Sequence, residues 1–276
     1  MSSCQGKVKN EVIFHYSLTP SLPHSHTPTF PHSDTPFCQN IGNIMIIQRS
    51  TLYIVATPIG NLEDITYRAV QVLRDTDVIV CEDTRVTGIL LARYEIPKKA
   101  MIPHYKNREA DTIAPVLEHL RNGRSVALVS DAGTPGISDP GYFLVSEVVK
   151  AGFAVEPIPG VTAVTALLSV SHISNTRFYF EGFLPHKKGR QTRLKYLSAM
   201  DCAVVFYEST HRIMKFLSEI LEYFGDRPIL LGRELTKMYE TIFRGTVSEA
   251  IAYFGDHSVK GEFVILIDKG QLTKDN

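Results

Sequence analysis

Three expected buried strands in this chain, two of them apolar and β-branched, each stop at a loop of glycine, proline and small polar residues. Leu52–Ala56 runs into Thr57–Leu62, Ser125–Val129 into Ser130–Gly141, and Ala154–Ile158 into Pro159–Thr162. A short apolar run without polar alternation reads as a strand buried on both faces. Helical patterns follow the loops, and such alternation predicts a parallel, doubly wound sheet. The carboxyl ends of its strands then share one edge, where open α/β sheets bind ligands. Ser130–Gly141 reads Ser-Asp-Ala-Gly-Thr-Pro-Gly-Ile-Ser-Asp-Pro-Gly, more special residues than a plain turn needs. Glycine lets a ligand approach the main chain, and proline fixes the turn. The three loops together predict one backbone-lined pocket for a flat, polar ligand, with Asp131 as the nearby carboxylate. Its expected lining is Pro58 and Gly60 from the first loop, then Asp131, Ala132, Gly133, Pro135, Ile137 and Ser138 from the second. Pro159, Gly160, Thr162 and the adjoining Ala163 complete it.

The remaining elements follow from the same periodicities. Helices are expected at Thr66–Arg74, Val86–Tyr94, Thr112–Arg121, Phe143–Lys150 and Ala163–Ser171, with a further strand at Asp77–Cys81. Asp111 is the expected N-cap of the third helix, and Gly123 its stop. A second unit starts with a strand at Phe178–Glu181 and a turn at Gly182–Pro185. Helices at Gln191–Met200, Ile213–Phe224 and Val247–Phe254 alternate there with strands at Cys202–Tyr207, Ile229–Arg233, Glu240–Arg244 and Glu262–Asp268, the Glu240–Arg244 strand antiparallel. The expected division is therefore an α/β domain over 45–171 and a second over 172–270, with a polar tail at 271–276. Residues 1–44 differ in kind. Ser17–Pro36 is dense in Ser, Thr, Pro and His and has no period, so it reads as disordered. A strand follows closely on Met45, which makes Met45 the expected translation start and residues 1–44 a non-native extension.

Composition narrows the function. The 29 basic and 29 acidic side chains cancel, so contact with nucleic acid has to come from a local patch. No apolar run reaches the roughly 20 residues that cross a bilayer. Cys4, Cys38, Cys81 and Cys202 show no metal or redox spacing, which fits a cytoplasmic protein without structural metal. There is no GxxxxGK[ST] loop, no GxGxxG fingerprint, no GxSxG elbow and no HExxH.

Seven stretches carry a resemblance. They are ATPIGNLEDIT at Ala56–Thr66, CEDTR at Cys81–Arg85, SDAGTPGISDPG at Ser130–Gly141, IPGVTA at Ile158–Ala163, GFLPHKKG at Gly182–Gly189, FYESTHR at Phe206–Arg212 and GRELTKMYE at Gly232–Glu240. Over Leu52–Asp268 the chain resembles the tetrapyrrole methylase superfamily, and within it the branch that methylates small-subunit ribosomal RNA. The resemblance implies two α/β domains with S-adenosyl-L-methionine bound in the cleft between them. It implies 2′-O-methylation of a cytidine in the decoding region of 16S rRNA, on the 30S subunit, by a homodimer.

In-line transfer to a ribose hydroxyl needs positioning and a proton acceptor. The candidate bases are Glu82, Asp83, Glu208, His211 and Glu234, and the sequence does not choose among them. Glu82-Asp83 can equally favour the positive end of a helix, and Glu208 can pair with Arg212 four residues on. Lys187, Lys188, Arg190 and Arg193 surround a glycine-containing turn and form the expected phosphate-gripping patch. Two other readings share this scaffold: a methylase of a tetrapyrrole precursor, and a non-catalytic, RNA-binding ribosome-assembly factor.

Overall fold

The computed structural model describes residues 47–256 and 260–270. The expectations for residues 1–44, for a start at Met45 and for the polar tail lie outside the described residues.

The first half forms a five-stranded sheet from β1 (Thr51–Val55), β2 (Val78–Cys81), β3 (Ala100–Pro103), β4 (Val126–Leu128) and β5 (Ala154–Ile158). The strand order is β3-β2-β4-β1-β5, and every neighbouring pair is parallel. Connecting helices α1 (Tyr67–Asp75), α2 (Thr84–Arg93), α3 (Ala110–Arg121) and α4 (Tyr142–Lys150) cover its faces. Each face carries its own apolar cluster, one around Tyr53, Leu73 and Ile79, the other around Leu52, Leu120, Leu128 and Leu144. β2 and β4 are buried along their whole length, as a parallel sheet covered on both sides requires.

The second half is a mixed sheet of β6 (Phe178–Phe183), β7 (Ala203–Ser209), β8 (Pro228–Arg233), β9 (Thr241–Thr246) and β10 (Glu262–Ile267). Its order is β6-β7-β10-β8-β9, with only β6 and β7 parallel and β10 in the centre. α6 (Arg190–Ser198), α7 (Ile213–Phe224) and α8 (Val247–Asp256) accompany it. α7 turns Ile213, Phe216, Leu217, Ile220 and Phe224 inward, the i, i+3, i+4, i+7 pattern of a one-sided helix. α5 (Ala163–Ser169) leaves the end of β5 and packs on the second sheet, where Val164, Leu167 and Leu168 meet Val205, Leu230 and Leu266.

Four local expectations are corrected. β5, expected to be buried, is an edge strand buried only at Ile158, and it carries Pro157. β3 lacks the β-branched run that marks a strand and ends in proline, so it escaped the sequence pattern; it is an edge strand, where proline is tolerated. Asp111 does not cap α3: Glu109 holds that position without a side-chain cap bond, and Asp111 pairs with Arg108 inside the first turn. The expected turn at Gly182 is instead a bulge within β6, where the register with β7 shifts between Phe180 and Gly182 and Gly182 takes φ +71°.

Candidate active site

The order β4-β1-β5 sets the three small-residue loops side by side at one sheet edge. Thr57 and Gly133 exchange backbone hydrogen bonds, N–H to carbonyl, at 2.8 and 3.0 Å. The Thr57 hydroxyl donates to the Ser130 carbonyl at 3.0 Å. Gly133 sits at φ +83°, a left-handed backbone that disfavours any side chain. Gly160 is needed for space, since a Cβ there would lie 2.7 Å from the Ala56 Cβ. The Thr162 hydroxyl caps α5 by accepting from the Thr165 amide.

The second sheet closes on this edge. A Cβ at Gly60 would lie 2.5 Å from Lys237 Cγ, and the Asn61 amide donates to the Thr236 hydroxyl at 3.0 Å. A Cβ at Gly182 would lie 2.6 Å from Ser138 Oγ. Between the two halves lies a cleft of about 220 Å³. One wall is Ile59, Ala132–Thr134, Ile137–Asp139 and Thr162–Ala163; the other includes Phe183, Tyr207–Ser209 and Glu234–Leu235. Ser138, Glu234 and Thr236, at or beside this cleft, take φ of +66°, +49° and +67°, conformations that cost non-glycine residues energy.

Of the expected pocket residues, Ala132, Gly133, Ile137, Ser138, Thr162 and Ala163 line the cleft. Pro58 and Asp131 line a separate hollow of about 90 Å³ with Leu62 and Val86. Asp131 Oδ1 there accepts the Asp83 amide at 3.0 Å. Pro135 borders a third hollow beside Leu128 and Tyr142. Gly60 shapes the approach of the second half, and Gly160 the packing of the third loop against Ala56.

The five candidate bases separate clearly. Asp83 caps α2 and pairs with Arg85, whose guanidinium holds its carboxyl down at about 2. His211 is exposed. Glu82 is half-buried, and burial followed by the nearby Asp131 charge raises its carboxyl. Glu234 lines the cleft, but its Oε1 accepts from Lys237 at 3.0 Å and the Glu262 amide at 2.8 Å. Burial opposes its charge, yet those donors outweigh burial and hold it below the usual range, which makes a weak base. Glu208 also lines the cleft; its Oε1 is bound by Arg212 at 2.7 Å and the Ser209 amide at 2.8 Å.

A sixth carboxylate, Asp139, lies in a Ser-Asp-Pro-Gly stretch that by itself reads as turn punctuation. It lines the cleft, and its carboxyl is pushed up to about 6, mainly by burial and then by the Glu82 charge. The spacing of Glu82 and Asp139 in the sequence gives no sign that the ends of β2 and β4 bring them together.

The basic patch divides as well. Lys187 and Lys188 are exposed in the turn after Phe183. Arg190 is corrected: it is 5% exposed and binds Glu219 Oε2 at 2.7 and 2.9 Å and the Pro185 carbonyl at 3.0 Å. Arg193 is committed to Glu181 and the Tyr179 hydroxyl and lies over the Tyr196 ring. Both guanidiniums hold α6 on the second sheet and its neighbours, so neither is free for phosphate.

This arrangement, a parallel sheet and a mixed sheet facing each other across a loop-lined cleft, is the fold of a two-domain methylase. Uroporphyrin-III C-methyl transferase from Thermus thermophilus, solved with S-adenosyl homocysteine, superposes with a TM-score of 0.58 over 78% of this chain and 96% of that one, at 20% identity. Residues 51–251 match the Tetrapyrrole (Corrin/Porphyrin) Methylases, and the chain belongs to that family. Two similar relatives are each named Ribosomal RNA small subunit methyltransferase I. That of Thermotoga maritima is 45% identical over 216 residues, 78% of this chain and 97% of the relative. That of Borrelia garinii is 49% identical over 221 residues, 79% and 98% of the two chains.

Proposed function

We propose that this chain transfers a methyl group from S-adenosyl-L-methionine to the 2′-hydroxyl of a cytidine in small-subunit ribosomal RNA. It acts on the 30S particle, in the cytoplasm and as a homodimer. The observation that carries the reading is identity of 45–49% over 216–221 residues with relatives named for ribosomal RNA methylation. Among the described residues no helix is long and apolar enough to cross a membrane.

The cleft suits this cofactor chemically. Ile59, Phe183 and Leu235 offer apolar surface to a nucleoside, and Thr134, Ser138 and Thr162 offer hydroxyls. Glu208 and Lys237 on the facing wall are already paired, Glu208 with Arg212 at 2.7 Å and Arg190 at 4.0 Å, Lys237 with Glu234 and Glu262, so they shape the wall as fixed charges. When bound, the cofactor supplies an electrophilic sulfonium methyl. The protein holds the ribose in line and excludes water, and positioning of this kind can contribute roughly 7–11 kcal/mol. Lys187 and Lys188 are exposed in the turn that follows Phe183, a cleft residue, and in this reading they grip backbone phosphate. Phosphate contacts position the protein without reading sequence, so the choice of cytidine rests on the cleft itself.

The reading is tested by incubating the protein and labelled cofactor with 30S subunits from a strain lacking the activity, with protein-free 16S rRNA and uroporphyrinogen alongside. Label is expected in one ribose of the subunit RNA. Label in uroporphyrinogen, or none in RNA, refutes it.

A further inference from the structure

We propose that Asp139 is the general base that accepts the proton of the target hydroxyl. The inference rests on the methyl-transfer reading above. Asp139 lines the cleft where the halves meet: the preceding Ser138 packs against the bulged Gly182 of β6, and Tyr207 of β7 lines the other wall. Ser138, immediately before it, takes a left-handed φ of +66°, a conformation that costs a non-glycine residue energy and occurs where the surrounding structure enforces it.

The charged and polar groups around it are Glu82 at the end of β2, Lys106 in the loop after β3, Ser130 and Asp131 at the end of β4, and Tyr207. Glu82 and Asp131 raise its proton affinity, while Lys106 and the Ser130 hydroxyl temper the rise. Tyr207 stays neutral, pushed up to about 12 by burial above all, a rise that the nearby Val164 amide tempers. Asp83, Glu208 and Glu234 are each tied to a cation; Asp139 forms no ion pair among the described residues. An ionised carboxylate with proton affinity close to the working pH is the best compromise between availability and driving force.

The step balances without another reactant. The ribose oxygen forms a bond to the methyl carbon as the sulfur–carbon bond breaks, and that bond's electron pair stays on sulfur. The hydroxyl proton passes to Asp139 Oδ, which releases it to solvent when the cleft opens.

The test compares wild type with D139N and D139E. In the protein alone, a ¹³C-carboxyl resonance titrating at about 6 is expected in wild type and absent in D139N. Calorimetry is expected to give D139N an affinity for S-adenosylmethionine within a few-fold of wild type. With 30S subunits, kcat of wild type is expected to rise with pH through about 6. D139N is expected to lose roughly 10²–10⁴-fold in kcat together with that acid limb, and D139E to keep part of both. A carboxyl titrating near the ordinary aspartate value overturns the assignment whatever the substrate. So does D139N turning over within tenfold of wild type with the same acid limb. A wild type that titrates as expected but methylates no RNA refutes the substrate reading, and the assignment falls with it.

Discussion

Asp139→Asn has a consequence for stability that is independent of catalysis. The carboxyl moves from an ordinary 3.8 to about 6 on folding, mainly through burial. Its folded value lies above its unfolded one, so the folded chain binds more protons between the two and stability falls as pH rises through that window. Above both values the burden is complete. At 1.36 kcal/mol per tenfold change in proton affinity it comes to about 3 kcal/mol at about pH 8, and shrinks to about 0.5 kcal/mol at about pH 4. Asparagine fills the same space without the charge, so the repulsion from Glu82 and Asp131 is lost, while its own amide must be desolvated. D139N is therefore expected to be more stable than wild type by about 1–3 kcal/mol at about pH 8 and nearly equal at about pH 4. Urea denaturation followed by circular dichroism at the two pH values measures the difference. An increment of the same size at both values, or a D139N less stable at the higher one, refutes the reasoning.

Three further variants probe other parts of the molecule. R190A leaves Glu219 beside a vacated, buried partner and is expected to cost about 3–5 kcal/mol in urea denaturation, with no change in the salt dependence of RNA binding by the folded fraction. K187A with K188A is expected to weaken 30S binding and flatten the slope of log affinity against log salt by roughly 1.4, with cofactor affinity unchanged by calorimetry. G60A drives a Cβ toward Lys237 Cγ and the Thr236 hydroxyl; it is expected to cost about 1–3 kcal/mol and to lower cofactor affinity at least tenfold by calorimetry.

Much of the frame was legible because buried strands and loop residues are written locally. Leu52–Ala56 and Ser125–Val129 announce themselves by β-branching, and their loops by glycine and proline, so the edge that bears the cleft follows from topology alone. What was hidden depends on distant partners. Arg190 looks like any basic residue in a charged turn; only the fold brings Glu219 from α7 to meet it. Asp131 and Asp139 occupy one loop and look alike in sequence. The main chain turns the first toward the Asp83 amide and the second into the cleft. β3, short and exposed on both ends, carried too little apolar pattern to register.

The central place of β10 has a consequence for the order of events during synthesis. The first sheet needs nothing beyond Ile158 and can form while the rest of the chain is still emerging, whereas β7 and β8 have no direct pairing and wait for β10 to slide between them. Glu262, Phe263 and Val264 of that same strand line the cleft. A nascent chain can thus own a finished first domain and all three small-residue loops while lacking a place for the cofactor. Competence arrives in one event, with the insertion of the strand made after the other nine.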